Sequence, residues 1–188
     1  MCHHYDFYLN VTLHMTCNVY SAHTTMVSSV VIPQDIIDSI IEAVGDDTRL
    51  LKICSLVSSE FLLPSRKHLF SKISLHSGKT REGLHQFLVE NPVFQLFVRT
   101  IHVDFDYESH LLISTLRLPF CFLESFSISA LWEDHLEWND FSSELKDTFS
   151  TIIHSSTLKT LHFTSIDVPI MLFQGAHLTK LVLHSVIP

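Results

Sequence analysis

The sequence predicts an α+β protein in which a three-helix unit precedes a short, irregular parallel sheet built from repeated strands. Two patterns predict this fold. Apolar residues recur at helical spacing within residues 31–76, and one strand motif recurs within residues 77–188. The composition agrees, because 46% hydrophobic and 17% charged residues supply enough apolar material for a folded core.

Residues 1–30 form a leader of unknown structure and role. Apolar side chains alternate with more polar ones from Tyr5 to Leu13, which is typical of a short strand. The first basic residue of the chain is Arg49. Because secretory signals start with basic residues and mitochondrial presequences contain arginines, we expect neither kind of targeting segment here.

Cysteine spacing and hydropathy predict a cytoplasmic or nuclear protein. The four cysteines are scattered without a Cys-x-x-Cys pair, which favours free thiols in a reducing compartment. A membrane span needs an apolar run of about 18 residues or more. No run in the chain approaches that length, so we expect no membrane partner.

Three short helices are predicted between the leader and the repeats. Pro33 suits the first turn of a helix that Gly45 would stop, and Asp46-Asp47 can cap a second helix. Pro64 is expected to open the third helix, and a brief strand follows at 72–76. The predicted apolar stripe of the second helix comprises Leu50, Leu51, Cys54, Val57 and Phe61.

A six-residue strand motif recurs through the remainder of the chain. Its pattern is apolar-x-x-apolar-x-apolar, the strand signature of leucine-rich repeats, and its starts are 25, 35 and 20 residues apart. The long interval holds an insertion with Trp132 and Trp138, followed by an amphipathic helix. We expect a short curved α/β solenoid with a parallel sheet on one face. The four copies are 98–103, 123–128, 158–163 and 178–183.

The last motif lies close to Pro188, where the sequence stops. Solenoids normally end in a capping element that shields the last apolar face, and none is visible after this motif. We therefore expect either a truncated gene product or a partner that covers this end.

The helical stretch resembles an F-box. The segments that carry the resemblance are 32–44 (IPQDIIDSIIEAV), 50–57 (LLKICSLV) and 64–70 (PSRKHLF). They are similar to the F-box-like proteins abundant in mushroom-forming (basidiomycete) fungi, in which degenerate leucine-rich repeats follow the F-box. The resemblance implies a non-catalytic, substrate-recruiting subunit of a cullin–RING (SCF-type) ubiquitin ligase. Its F-box would dock on a Skp-family adaptor, and its repeats would bind a target protein.

The resemblance also implies which residues meet the adaptor. The start Ile32-Pro33 replaces the usual Leu-Pro, and Phe61 stands where many family members carry Trp. The same residues could instead form the internal core of a helical cap on the solenoid. The implied adaptor-binding residues are Pro33, Ile36, Ile37, Ile40, Leu51, Cys54, Val57 and Phe61.

Charge and motif spacing argue against several other classes of protein. A net charge of −8 disfavours a nucleic-acid partner. Fourteen histidines lack the spacing of a metal motif, and Gly78-Lys79-Thr80 lacks the first glycine of a P-loop because Ile73 stands there. We therefore expect no enzyme activity, no metal and no cofactor. The alternatives to a ligase subunit are a scaffolding repeat protein and a truncated, non-functional family member.

Acidic residues are concentrated in the middle of the chain. Residues 104–147 hold ten acidic and two basic residues. A solvated face accounts for such a stretch, and selection of a basic target by charge complementarity is the other interpretation.

Overall fold

The computed structural model describes residues 32–76, 79–105, 110–130 and 136–184. Within these ranges, a unit of three helices precedes a parallel sheet whose one face is covered by further helices. The α+β class is therefore confirmed, while the strand predicted near the start of the leader lies outside the described residues. None of the described helices has the length and apolar character needed to cross a bilayer.

The helices and strands alternate irregularly along the chain. The helices are α1 (Gln34–Val44), α2 (Thr48–Val57), α3 (Ser59–Leu69), α4 (Lys79–Glu90), α5 (His110–Leu116) and α6 (Ser143–Ile153). The strands are β1 (Lys72–Leu75), β2 (Thr100–Phe105), β3 (Ser125–Ala130), β4 (Leu136–Glu137), β5 (Thr160–Thr164), β6 (Ile166–Asp167) and β7 (Lys180–His184). Short 3-10 helices occupy Pro92–Phe97, Trp138–Asp140 and Ile170–Phe173.

The first helix ends, and the second helix begins, where the sequence predicts. Gly45 ends α1 with a φ of +60°, and its N–H donates to the carbonyl oxygens of Ile41 and Glu42. The Asp47 carboxylate caps α2 by accepting hydrogen bonds of 3.0 Å from the N–H groups of Arg49 and Leu50.

The third helix begins earlier than predicted. Ser58 has an extended backbone conformation that separates α2 from the next helix, and α3 then starts at Ser59. Phe61 therefore belongs to α3 rather than to the stripe of α2, and Pro64 lies inside the helix instead of opening it. An interior proline costs a helix about 3 kcal/mol. Tertiary packing offsets this cost, because α3 buries Phe61 in the core that the three helices share.

One five-stranded sheet contains all four copies of the predicted strand motif. Its order is β1-β2-β3-β5-β7, and every neighbouring pair is parallel. Each predicted copy begins two residues before its strand. The sheet adds strands in chain order, as the repeat pattern predicts, and the two short strands β4 and β6 form a separate parallel pair.

A fifth copy of the motif precedes the four predicted ones. Phe70-x-x-Ile73-x-Leu75 has the same pattern and starts 28 residues before Val98. It places Ile73 beside Ile101 and Leu75 beside Val103 in the sheet. The strand predicted at 72–76, within the predicted helical domain of residues 31–76, is thus the first strand of the sheet.

The sheet core consists of alternate strand residues packed against α4, α5 and α6. Ile101, Phe126 and Leu161 form one buried row across the sheet, and the predicted amphipathic helix appears as α6, which buries Phe149 against it. Trp138 packs on Phe149, whereas Trp132 lies outside the described residues.

The last strand leaves part of its core side open. Leu181 and Leu183 are in register with the buried Leu161 and Phe163, yet they are 41% and 46% exposed. Since β7 lies at the edge of the sheet, these two leucines have a neighbouring strand on one side only.

Candidate functional site

The helical unit leaves many apolar side chains exposed to solvent. Ile36 and Ile40 are one turn apart on α1, and Ile53 and Val57 are one turn apart on α2. The exposed fraction of Val57 is 65%. We call this set the helical apolar surface; it comprises Ile32, Ile36, Ile40, Leu50, Ile53, Leu56, Val57 and Leu63.

The residues implied to contact the adaptor divide into three groups. Pro33, Ile36, Ile40 and Val57 are exposed, and Cys54 is half-buried. The buried group is Ile37, Leu51 and Phe61, which form the internal core together with Ile41.

Burial limits what the third group could offer to a partner. The side chains of Ile37, Leu51 and Phe61 expose little surface area to a partner, because they are buried where the three helices pack together. Ile53 and Leu56 were missed as surface residues. Ile53 lies one helical turn before Val57, so helical spacing from Val57 would have identified it.

An aromatic cluster joins the helical unit to the sheet region. Phe70 stacks on Phe87 of α4, with ring centroids 5.3 Å apart and an angle of 11° between the rings. Phe94 lies 4.5 Å from Phe70, and the Arg66 guanidinium of α3 lies 5.9 Å from the Phe94 ring centroid. The Lys72–Asp46 ion pair adds a polar link. The helical unit is therefore held against the first strand and the segment that follows it.

The second candidate surface is the polar face of the sheet, where outward side chains carry hydroxyl, imidazole, ammonium and carboxylate groups. It is the side of the sheet opposite the core, because buried and more exposed residues alternate along the strands. The polar sheet face comprises Lys72, Ser74, His76, Thr100, His102, Asp104, Ser125, Ser127, Ser129, Thr160, His162, Thr164, Lys180, Val182 and His184.

Asp104 is the centre of a hydrogen-bonded network on this face. One carboxylate oxygen lies 2.7 Å from Nε2 of His102 and accepts from the Ser129 hydroxyl at 3.2 Å, and the other contacts Nδ1 of His76. Burial alone would raise the pKa of Asp104. The hydrogen bond with His76 and the charge interactions with His102 and His76 outweigh burial, so its pKa lies below the usual value.

The distances around His102 resemble those of a hydrolytic triad. Ser127 Oγ lies 2.7 Å from His102 Nδ1, while His102 Nε2 faces Asp104. A serine hydrolase also needs N–H donors directed at the oxyanion. Ser127 is in mid-strand, where backbone N–H groups lie in the plane of the sheet and serve its pairing with β2 and β5. We therefore interpret this network as a structural feature of the polar sheet face.

Known proteins offer no guide to these two surfaces. Comparisons of the chain with protein-family models, with curated proteins and with solved structures found no match. Within the part of the chain that the structure describes, no three histidine, cysteine or carboxylate side chains converge to hold a metal ion.

Proposed function

We propose that this protein is a non-catalytic, substrate-recruiting subunit of a cullin–RING ubiquitin ligase that works in the cytoplasm or nucleus. Its helical unit would dock on a Skp-family adaptor, and the sheet region would hold a target protein. The observation that carries the proposal is the helical apolar surface, which coincides with segments that resemble an F-box.

The physical argument for a docking partner is the free-energy cost of leaving these apolar side chains exposed to water. Folded monomers rarely expose contiguous apolar patches larger than a few hundred Å². A stable interface buries roughly 800 Å² on each partner. The buried core fixes the positions of the helices that carry Ile36, Ile40 and Val57. These side chains would therefore lose little conformational freedom on binding a partner. Recruitment then acts through proximity, since a tethered target meets the ligase at a raised effective concentration.

Co-expression of the full chain with a Skp-family adaptor tests the proposal. We expect the two proteins to co-purify as a one-to-one complex, and Val57→Asp to abolish it. The matched control is Ile170→Asp, which places the same charge on an exposed apolar residue in the sheet region. Both substitutions lie on the surface, so thermal unfolding should change little for either. Full retention of the complex by Val57→Asp would contradict adaptor docking through this surface.

A scaffolding repeat protein is the second candidate, and one observation favours it. The aromatic cluster of Phe70, Phe87 and Phe94 packs the helical unit against the sheet region, as a cap on a solenoid would be packed. Under this alternative the chain stays soluble alone and forms no adaptor complex. Insoluble protein both with and without the adaptor would instead favour a truncated, non-functional family member.

A further inference from the structure

Three basic side chains come together near the open edge of the polar sheet face. His162 projects from the middle of β5, and β7 contributes Lys180 and His184. The register pairs Thr160 with Lys180 and Thr164 with His184. His162 therefore lies between Lys180 and His184 along the strand direction, on the same face of the sheet.

These groups repel one another's positive charge. Burial lowers the pKa of His162, and the charges of Lys180 and His184 lower it further. Among the described residues, no carboxylate forms an ion pair with any of the three. The acid of the described sheet face, Asp104, lies two strands away on β2, where it contacts His76 and His102.

The charge of this face contrasts with that of the whole chain. Its described titratable groups are Lys72 from β1 and His76 directly after it, His102 and Asp104 from β2, His162 from β5, and Lys180 and His184 from β7. Outward residues of β3 are serines.

The acidic stretch of the sequence contributes only Asp104 to the described part of this face. Glu124 instead pairs with Arg99 and Lys159, and Glu144 pairs with Arg117. A chain of net charge −8 thus presents a described sheet face with one acidic group and six basic or imidazole groups. This arrangement favours an acidic partner over the basic target that the sequence suggested.

We propose that the outer face of β5 and β7 binds an acidic, extended segment of a partner protein, whose carboxylates contact His162, Lys180 and His184. An extended segment suits this site because the three groups are spread over two parallel strands rather than gathered in a cavity. In the cell the partner would be the recruited target, so the identity of the partner rests on the proposed function. The binding itself does not, because it uses a surface separate from the helical apolar surface.

Binding should tighten as the pH falls. Bound carboxylates favour the protonated form of His162, so complex formation raises the pKa of His162 and takes up protons. Because binding takes up protons, the affinity for the acidic segment increases as the pH falls from 7.5 to 6.0. Glutamate side chains of the partner stay ionised in this range, since their ordinary pKa is about 4.3.

Fluorescence anisotropy with a fluorescein-labelled deca-glutamate peptide tests the proposal on the full chain, or on its adaptor complex where one forms. We expect the affinity to be at least threefold higher at pH 6.0 than at pH 7.5. Lys180→Gln and His184→Gln should each weaken binding at least threefold at pH 6.0. The matched controls are Lys67→Gln and His177→Gln, which remove exposed basic groups elsewhere and should leave binding unchanged.

Three outcomes would overturn this inference. They are an absence of peptide binding at either pH, equal losses in the controls and the sheet variants, and tighter binding of a labelled DNA oligonucleotide than of the peptide. Thermal unfolding of each variant verifies that the fold is retained. Failure here is distinguishable from failure of the proposed function, because co-purification with the adaptor is measured separately.

Discussion

Ile36 and Ile37 are adjacent in the sequence but lie on different faces of α1. Ile36 is 47% exposed, whereas Ile37 is 1% exposed and belongs to the core of the helical unit. Successive residues of an α-helix point about 100° apart, so one of two neighbouring isoleucines can face the core while the other faces solvent. Of this pair, Ile36 is therefore available to a docking surface, and Ile37 belongs to the internal core.

The same pair yields a test of that separation. Ile37→Asp should unfold the helical unit, because an unpaired charge in an apolar core costs several kcal/mol. Ile36→Asp should change the free energy of unfolding by no more than about 0.5 kcal/mol and should still abolish the adaptor complex. Chemical denaturation measures the first effect, and co-purification measures the second. Equal destabilisation by both variants would contradict the observed faces of α1.

The aromatic cluster predicts energetic coupling between the helical unit and the sheet region. In a double-mutant cycle, Phe70→Leu and Phe94→Leu should show a coupling energy of about 0.5 to 1.5 kcal/mol, because the two rings are in contact. Phe70→Leu combined with Phe141→Leu is the control, since Phe141 packs instead against Phe105 and Trp138. Coupling as large in the control as in the test pair would argue against direct contact.

Asp104 should make the stability of the fold depend on acid pH. Its pKa is lower in the folded state than in the unfolded chain, so ionised Asp104 stabilises the fold above pH of about 4, and this stabilisation is lost as the pH falls below that value. Asp104→Asn should cost about 1 to 3 kcal/mol at neutral pH and flatten the decline in stability below pH 4. Urea unfolding from pH 3 to pH 7 measures both effects. Parallel curves for the variant and the native chain would refute this role.

His162 should titrate at a higher pH when its neighbour loses its charge. Lys180→Gln removes one of the two charges that lower the pKa of His162, so the pKa should move up towards the ordinary value of about 6.5. Because burial remains in the variant, recovery should be partial. NMR titration of the His162 ring protons measures the shift, with Lys67→Gln as the control. An unchanged pKa in Lys180→Gln would mean that the two groups do not interact.

The middle and the end of one row of side chains across the sheet should respond differently to the same substitution. Ile128→Glu places a carboxylate in the buried middle of the sheet and should prevent folding. Leu183→Glu occupies the equivalent row on β7, where the side chain is partly exposed, and should cost less than about 1.5 kcal/mol. Circular dichroism and thermal unfolding compare the two. A folded Ile128→Glu variant would contradict the register of β3.

Local sequence signals predicted the elements that depend on a few neighbouring residues. Gly45 and Asp47 mark a helix end and a helix start because each acts through its own backbone or its nearest N–H groups. The strand motif predicted four strands, since its apolar-x-x-apolar-x-apolar pattern is visible within six residues without knowledge of the neighbouring strands. The boundary of α3 was wrong because the packing of Phe61, not the local preference of Pro64, decides where that helix begins.

The candidate site was only partly predictable for the same reason. Family-like positions on α1 and α2 identified the exposed Ile36, Ile40 and Val57, but they also included the buried Ile37 and Leu51. Which side of a helix faces solvent depends on where the other helices pack. Neither Asp104 with His102 nor His162 with Lys180 and His184 was recognisable as a group, because strand pairing brings distant residues together.

By itself, the amino-acid sequence determined the α+β class, four strands of the sheet, the end of α1 and the start of α2, because these follow from side-chain spacing and backbone preferences over short distances. Only the tertiary structure decided which apolar residues stay on the surface and which polar residues share a face of the sheet. Both outcomes depend on contacts between segments far apart in the chain, and no local pattern specifies which surfaces those contacts bury.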